Sequence, residues 1–316
     1  MSRSRRRNAL CSAVAAVAAV LACDPAAAAF PGSNGKVVFE DDGVLKTFST
    51  AGLETIPNTS GAVAPAVSAS GTRIAVDGVK TFDFAGGDQK TPAAGVDPAW
   101  SPDGQRIVYR SSGDLWVTNA DGSGQPRQLT SGAAFDEQPS WAPSGDRVAF
   151  ISNRSGEFQV WVIKADAAAP APTWQVTGVG DVDGGPSWSP DGSKVVYSID
   201  DGSIVDLFVT TVPAPPADPT PPPPDPANDD RITVNGASSI FNDEPAWSPN
   251  GRFIAFSSNR TGAREIWVVD APGGANPLSS RRAAAAGPTG RRSPTRTGTP
   301  SWTPGRRSGS TPTATA

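Results

Sequence analysis

Carboxylates recur at matching places in this sequence, each just ahead of a Pro-x-Trp tripeptide: Asp97, then Asp136 with Glu137, then Asp181 with Asp183, then Asp243 with Glu244. Ca2+ takes about six to eight oxygen ligands, so Asp97, Asp136, Asp181 and Asp243 are candidate metal ligands. Gathered at one place, the same acids would make a focused negative field suited to a protein or peptide partner. Asp97, Glu137, Asp183 and Glu244 are the candidate contacts for such a partner. A third use is acid and base catalysis by paired carboxylates, as in a glycosidase, with Asp97 and Glu137 as the pair to test.

Other chemistry is removed by composition. The chain has no histidine, which excludes Ser-His-Asp and Cys-His nucleophile systems and His-built zinc sites. No Gly-x-Ser-x-Gly elbow occurs. The two tyrosines, Tyr109 and Tyr197, share one place in a repeat and fall on a strand expected to be buried. A non-catalytic protein is therefore the leading expectation. Asp103, Asp191 and Asn250 stand in Ser-Pro-Asp-Gly or Ser-Pro-Asn-Gly turns and are read as turn residues. Asp121-Gly122-Ser123-Gly124 lacks the 12-residue ligand series of an EF-hand. Ser152-Asn153-Arg154 and Ser258-Asn259-Arg260 occupy equivalent hairpins, and repetition alone accounts for them.

The elements that must position these acids form a repeat. One copy runs Pro98-Ala99-Trp100-Ser101-Pro102-Asp103-Gly104, then Arg106 to Tyr109, Leu115 to Val117, and a polar end near Leu129. It recurs from Pro139, Pro186 and Pro245, and in worn form from Pro65, with Val67 in the tryptophan place. The starts lie 33, 41, 47 and 59 residues apart. The longest spacing holds the run Pro213 to Pro226, an extended loop between strands of one unit. Each unit reads as four short strands, with proline presetting φ and glycine accepting a positive φ in the tight turn. The middle strands are apolar at consecutive positions, so both faces must be covered by neighbouring units. Four strands per roughly 40 residues, buried on both faces, define a β-propeller blade. Trp100, Trp141, Trp188 and Trp247 are then packing anchors between blades, and the acids ahead of them converge on one mouth of the channel.

These Pro-x-Trp-Ser-Pro-Asp-Gly units resemble the WD-like repeats of the TolB propeller family, and Ala29 to Lys36 resembles the entry into the first blade of exported members. The likeness spans about residues 30 to 280 and concerns the propeller part alone. It implies an all-β, six-bladed propeller with units from about 31, 65, 98, 139, 186 and 245. It also implies a cation in the channel, here Ca2+, and a protein-binding role in the cell envelope. The first unit opens on Lys36-Val37-Val38-Phe39-Glu40 without its Pro-x-Trp strand, so the ring needs a closing strand from elsewhere.

The two ends read differently from the body. Arg3, Arg5, Arg6 and Arg7, an apolar stretch Ala9 to Ala22, and Ala27-Ala28-Ala29 have the order of a secretory signal over residues 1 to 29. Fourteen alanine-rich residues fall short of the roughly twenty that span a bilayer, so no membrane span is expected after processing. Val20-Leu21-Ala22-Cys23 also resembles a lipoprotein box, with lipid attachment at Cys23 as the second reading, and the twin-arginine pattern is weak. Cys11 and Cys23 both precede the cut, which leaves no thiol for a disulfide. Residues 281 to 316 carry seven arginines and no acid, whereas the body between the ends has 16 basic and 30 acidic residues. An acidic body is a poor nucleic-acid binder, and a monomer in the periplasm or outside the cell is expected. Two readings of the tail stay open: Thr299-Pro300-Ser301-Trp302-Thr303-Pro304 supplies the closing strand, or the tail is an out-of-frame end and the chain a truncated product.

Overall fold

The computed structural model describes residues 37–49, 52–166, 169, 171–178, 180–214, 229–233, 239–272 and 280–282. Residues 1–36 with Cys23, most of the proline-rich run and the stretch with residues 299–304 lie outside the described residues. So do residues 285–316 as a whole.

The described chain is all-β: six antiparallel sheets follow one another in sequence order, as a six-bladed β-propeller. The first has three strands, β1 (Val37–Asp41), β2 (Val44–Ser49) and β3 (Gly52–Thr55). The second has β4 (Ala66–Val67), β5 (Arg73–Val76) and β6 (Lys80–Asp83), extended by a bridge between Thr81 and Lys90. Four strands each make up the others: β7 (Val96–Trp100) to β10 (Arg127–Gln128), β11 (Asp136–Trp141) to β14 (Thr173–Gln175), β15 (Asp181–Trp188) to β18 (Asp230–Arg231), and β19 (Asn242–Trp247) to β22 (Ser280–Arg282). The first strands β7, β11, β15 and β19 lie against one another in order. Among the described strands none pairs with the outer edge of β1, the edge where the missing Pro-x-Trp strand belongs.

The turns show why these residues fold this way. Ser101 donates its hydroxyl to Asp103 Oδ1 at 2.5 Å, while Ser101 Oγ accepts the Arg106 N–H at 2.9 Å and Gly104 takes φ 69°. The Ser189 and Ser248 turns repeat this pattern. The Ser189 hydroxyl is the main reason the Asp191 carboxyl sits below its ordinary range.

The core is a stack of layers between blades. Along a middle strand alternate residues face opposite neighbours: Ile107 and Tyr109 join Ala66, Ala75 and Val79 of the second blade, whereas Val108 joins Trp141, Val148 and Phe150 of the fourth. Each repeat tryptophan is buried on the blade before it. Trp188 packs on Ala142, Ala149, Val160 and Val162, and Trp247 on Val196, Leu207 and Val209. Two indoles hydrogen-bond across the joint, Trp100 Nε1 to the Ala66 carbonyl and Trp188 Nε1 to the Ser140 carbonyl, both at 3.1 Å. Trp141 and Trp247 instead donate to their own turns. Arg106 lies over the Trp141 ring at 4.8 Å and Arg147 over Trp188 at 5.1 Å, so each arginine stacks on the tryptophan of the next blade.

Candidate functional site

The innermost strands carry the acids, and a repeated backbone feature aims them. In four blades the pairing of the first two strands slips by a β-bulge beside the proline, between Val96 and Ala99, Glu137 and Ser140, Gly184 and Ser187, and Asp243 and Ala246. The residues before proline at three of these sites are left-handed: Asp97 (φ 54°), Gln138 (φ 50°) and Glu244 (φ 51°). That conformation costs a side-chain-bearing residue roughly 1–2 kcal/mol. Specific bonds offset it: Asp97 N–H donates to Asp77 Oδ1 at 2.8 Å, and Glu244 N–H to Asp243 Oδ1 at 2.7 Å.

At the corresponding place the fifth blade has Gly184 and Gly185, and close approach explains both. A Cβ on Gly184 would stand 2.2 Å from Ser198 Oγ and 2.4 Å from Asp243 Oδ1, and one on Gly185 2.6 Å from Gln138 Oε1. Gly184→Ala is therefore expected to break the 2.9 Å bond from the Ser198 hydroxyl to Asp243 and to destabilise the protein by about 1–3 kcal/mol. A urea midpoint unchanged from the parent would show that these strands are not in contact.

The candidate residues divide into two groups. Asp97 accepts Arg110 Nε at 3.0 Å. Asp136 is buried, and both its oxygens accept Arg154 Nη2, at 2.8 and 2.9 Å. Asp181 accepts the Phe158 N–H of the preceding blade at 3.2 Å, and Glu137 is buried in its strand. These four are built into hairpins and blade joints. Asp97, Asp136, Asp181 and Asp243, the candidate Ca2+ ligands, sit on the first strands of four successive blades. Among the described residues no group of three or more acidic, histidine or cysteine side chains is placed to hold a metal.

Asp183, Asp243 and Glu244 behave differently. Asp243 reaches the fifth blade, where it accepts the Ser198 hydroxyl at 2.9 Å, and the charges of Asp183 and of Glu40 in β1 act on Glu244. Asp243 lies 4.0 Å from Arg264 Nη1, which also reaches Ser257 Oγ at 3.4 Å. Glu244 Oε2 is enclosed and accepts no hydrogen bond. Burial, then the charge of Asp243, pushes the Glu244 carboxyl well above its ordinary range; Glu40 and Asp183 add to this and Arg264 opposes it.

Sequence reasoning missed Glu40, Arg264 and Arg154. Glu40 could have been found by aligning Val37-Val38-Phe39-Glu40 on Ile107-Val108-Tyr109-Arg110, which places Glu40 in register with an inner-mouth residue. The Ser-Asn-Arg hairpins are clamps. Arg154 lies over Phe150 and Trp161, both at 5.1 Å, and bonds Ser152, Thr173 and Asp136, while Arg260 lies over Phe256 and Trp267 and bonds Ser258 and Asn242. Tyr109 and Tyr197 are buried, and burial raises both hydroxyls, which keeps them protonated at neutral pH. An open cleft of about 490 Å3 beside Arg154 is lined by Ser131 to Ala134 and Asn153. Its one cationic group, Arg154, is already held by Asp136.

The acids lie on the inner strands of a six-bladed propeller, and the family comparison agrees with that fold. Residues 59–214 match the TolB β-propeller domain, and the blades of this chain are TolB-like. A putative TolB from Agrobacterium tumefaciens is 23% identical over 60% of this chain and 61% of that one, with a TM-score of 0.47. TolB from Acinetobacter baumannii is 17% identical over 73% of this chain and 57% of that one, with a TM-score of 0.55. A chain of a nidogen/laminin complex is 11% identical over 78% of this chain and 93% of its own length, with a TM-score of 0.57. This chain thus spans about 60% of the length of the two TolB structures. No curated protein matches it in sequence. Among the described residues no helix is long and apolar enough to cross a membrane.

Proposed function

We propose that this protein is an exported, non-catalytic scaffold that binds a protein or peptide at the acidic mouth of its propeller, through Asp97, Glu137, Asp183 and Glu244. The observation that carries this reading is the joint between the fifth and sixth blades, where Asp243 meets Ser198 and the negative charges of Asp243, Asp183 and Glu40 all act on Glu244. The leader-like N-terminus supports export, and the TolB-like blades support a protein partner. The test is a peptide library presented to the full chain and to a variant with Asp97→Asn, Glu137→Gln, Asp183→Asn and Glu244→Gln. Peptides selected by the parent should lose at least about tenfold in affinity on the variant and weaken with salt. Selection of the same peptides by both proteins would overturn the proposal.

Ca2+ belongs to this proposal as a second part, tested by melting the full chain in Ca2+ and in chelator. An upward shift in Ca2+ supports it, because a ligand of the native state alone raises the Tm, and coincident melts remove it. One observation favours a hydrolase as the second reading: burial first, and then the charge of Asp243, raise the Glu244 carboxyl well above the ordinary carboxylate range, the kind of environment that sets apart an acid and a base. Turnover of glycan substrates that Glu244→Gln abolishes would establish it.

A further inference from the structure

We infer that Asn250 is a self-modification site: the Asn250-Gly251 pair cyclises and loses ammonia when the first turn of the sixth blade opens, and the native turn holds that reaction off. Which product forms decides whether the blade can close again.

The equivalent turns of the third and fifth blades carry aspartate at this place, Asp103 and Asp191, so among the Ser-Pro-x-Gly turns the sixth blade alone offers a side-chain amide followed by glycine. Glycine has no Cβ to obstruct its own nitrogen or to restrict its φ, which makes it the least hindered successor such an amide can have.

In the folded chain both reacting groups are occupied. The Gly251 N–H donates to the Ser248 carbonyl at 2.9 Å, and Asn250 Oδ1 accepts the Ser248 hydroxyl at 2.8 Å and the Arg252 N–H at 3.1 Å. Gly251 is left-handed at φ 73° and lies against the fifth blade, where an added Cβ would stand 3.4 Å from Pro190 Cγ. Trp247, buried on Val196, Leu207 and Val209, donates its Nε1–H to the Gly251 carbonyl at 3.1 Å. Bond formation requires the Gly251 nitrogen to be aligned on Asn250 Cγ. To get there it must leave Ser248, and that movement disturbs the residue on which the Trp247 indole is anchored. The reaction is thus tied to release of the joint between the fifth and sixth blades.

The step balances with water alone. The Gly251 nitrogen gives up its proton and bonds to Asn250 Cγ; the Cγ–Nδ2 bond breaks, and ammonia leaves with that proton. Water then opens the five-membered imide at one of its two carbonyls. Breaking the new N–Cγ bond leaves aspartate in an ordinary main chain. Breaking the original bond between the Asn250 carbonyl carbon and the Gly251 nitrogen leaves isoaspartate, whose main chain runs through the side-chain methylene. One water is consumed, one ammonia is released, and nothing is oxidised or reduced.

The two products meet the turn differently. Aspartate makes the sixth turn like its siblings, in which Asp103 and Asp191 accept a serine hydroxyl and the N–H two residues on. Isoaspartate adds a main-chain atom between Ser248 and Gly251, so the bond that closes the turn and the bond that anchors Trp247 cannot both re-form.

The experiment incubates the full chain at mildly alkaline pH in buffer and at rising urea, with tryptic mapping over time. Residues 232–252 form one tryptic peptide that also holds Asn235, so fragmentation assigns the mass gain to residue 250. Deamidation there should be at least about tenfold slower in buffer than above the unfolding midpoint, because only the opened turn reacts and opening costs free energy. It should also quicken with urea below the midpoint. Just below the midpoint, size exclusion separates compact from expanded chains. Isoaspartate at 250, read by isoaspartyl methyltransferase labelling, should collect in the expanded fraction, while aspartate should divide as unreacted asparagine does. Asn250→Asp should melt at or above the parent temperature. Equal rates in buffer and in urea, no reaction at 250 in urea, an even division of isoaspartate between the fractions, or a lowered melt for Asn250→Asp overturns the inference.

Discussion

Alanine at position 188 is expected to lower the stability of this protein by about 3–5 kcal/mol, the range for emptying a buried tryptophan site. Three losses coincide there. The ring leaves a void against Ala142, Ala149, Val160 and Val162 of the fourth blade. The Ser140 carbonyl loses its indole donor at 3.1 Å. Arg147 loses the ring face it covers at 5.1 Å. Urea unfolding checks the prediction, with Trp188→Phe as the partner variant: phenylalanine keeps most of the area and should cost only about 1–2 kcal/mol, chiefly the hydrogen bond and the smaller ring. A loss below 1 kcal/mol for the alanine variant would mean that Trp188 does not join the two blades.

The second large effect is expected at Asp136. Asp136→Ala strands the Arg154 guanidinium between Phe150 and Trp161 without its carboxylate. Breaking a buried pair by removing one partner costs about 3–5 kcal/mol; because Arg154 keeps some solvent contact, with its side chain 22% exposed, the lower end applies here. Asp136→Asn should be much milder, about 1 kcal/mol. The sixth blade already uses that pairing, since Asn242 Oδ1 accepts Arg260 Nη2 at 2.8 Å in the equivalent place. A further consequence concerns Asp114, whose carboxyl is pushed up first by burial and then by the charge of Asp136. With asparagine at 136 the Asp114 carboxyl should titrate lower, visible by NMR. Asp114 stabilises the fold best when protonated, so the raised group makes the parent lose stability as pH climbs through the Asp114 titration, and Asp136→Asn should flatten that slope.

Much of the fold is legible in the sequence because proline and glycine punctuate it at fixed offsets. Ser101-Pro102-Asp103-Gly104 can hardly be anything but a tight turn, and the apolar runs after it must be buried on both faces. The tryptophans are equally readable, since a large apolar side chain repeated once per blade has the joint between blades as its natural place. The site is less legible for a geometric reason. Whether an acid points into the mouth or back into its own hairpin depends on a bulge of one residue, and a slip of one residue reverses the face on which a side chain lies. Asp136 and Asp243 occupy nearby template positions, yet one is bound to Arg154 and the other meets Glu244. The role of Arg154 and Arg260 is hidden for a related reason, because repetition in sequence does not reveal that each guanidinium lies over two aromatic rings.

Every repeat tryptophan leans on the blade that precedes it in the chain, never on one still to come. The stack therefore has a direction, and it is the direction of synthesis. At roughly 5–20 residues per second, a unit of about 40 residues emerges in ~2–8 s. By then the surface that receives its tryptophan has already been made. Trp141 can dock on Val108, Leu115 and Val117 before the fifth blade exists, and Trp188 can dock on the fourth before the sixth does. Assembly can proceed as a ratchet, each new blade burying the apolar face its predecessor left open. At any moment the surfaces available for a wrong partner are the face of the most recent blade and the outer edge of β1 in the first.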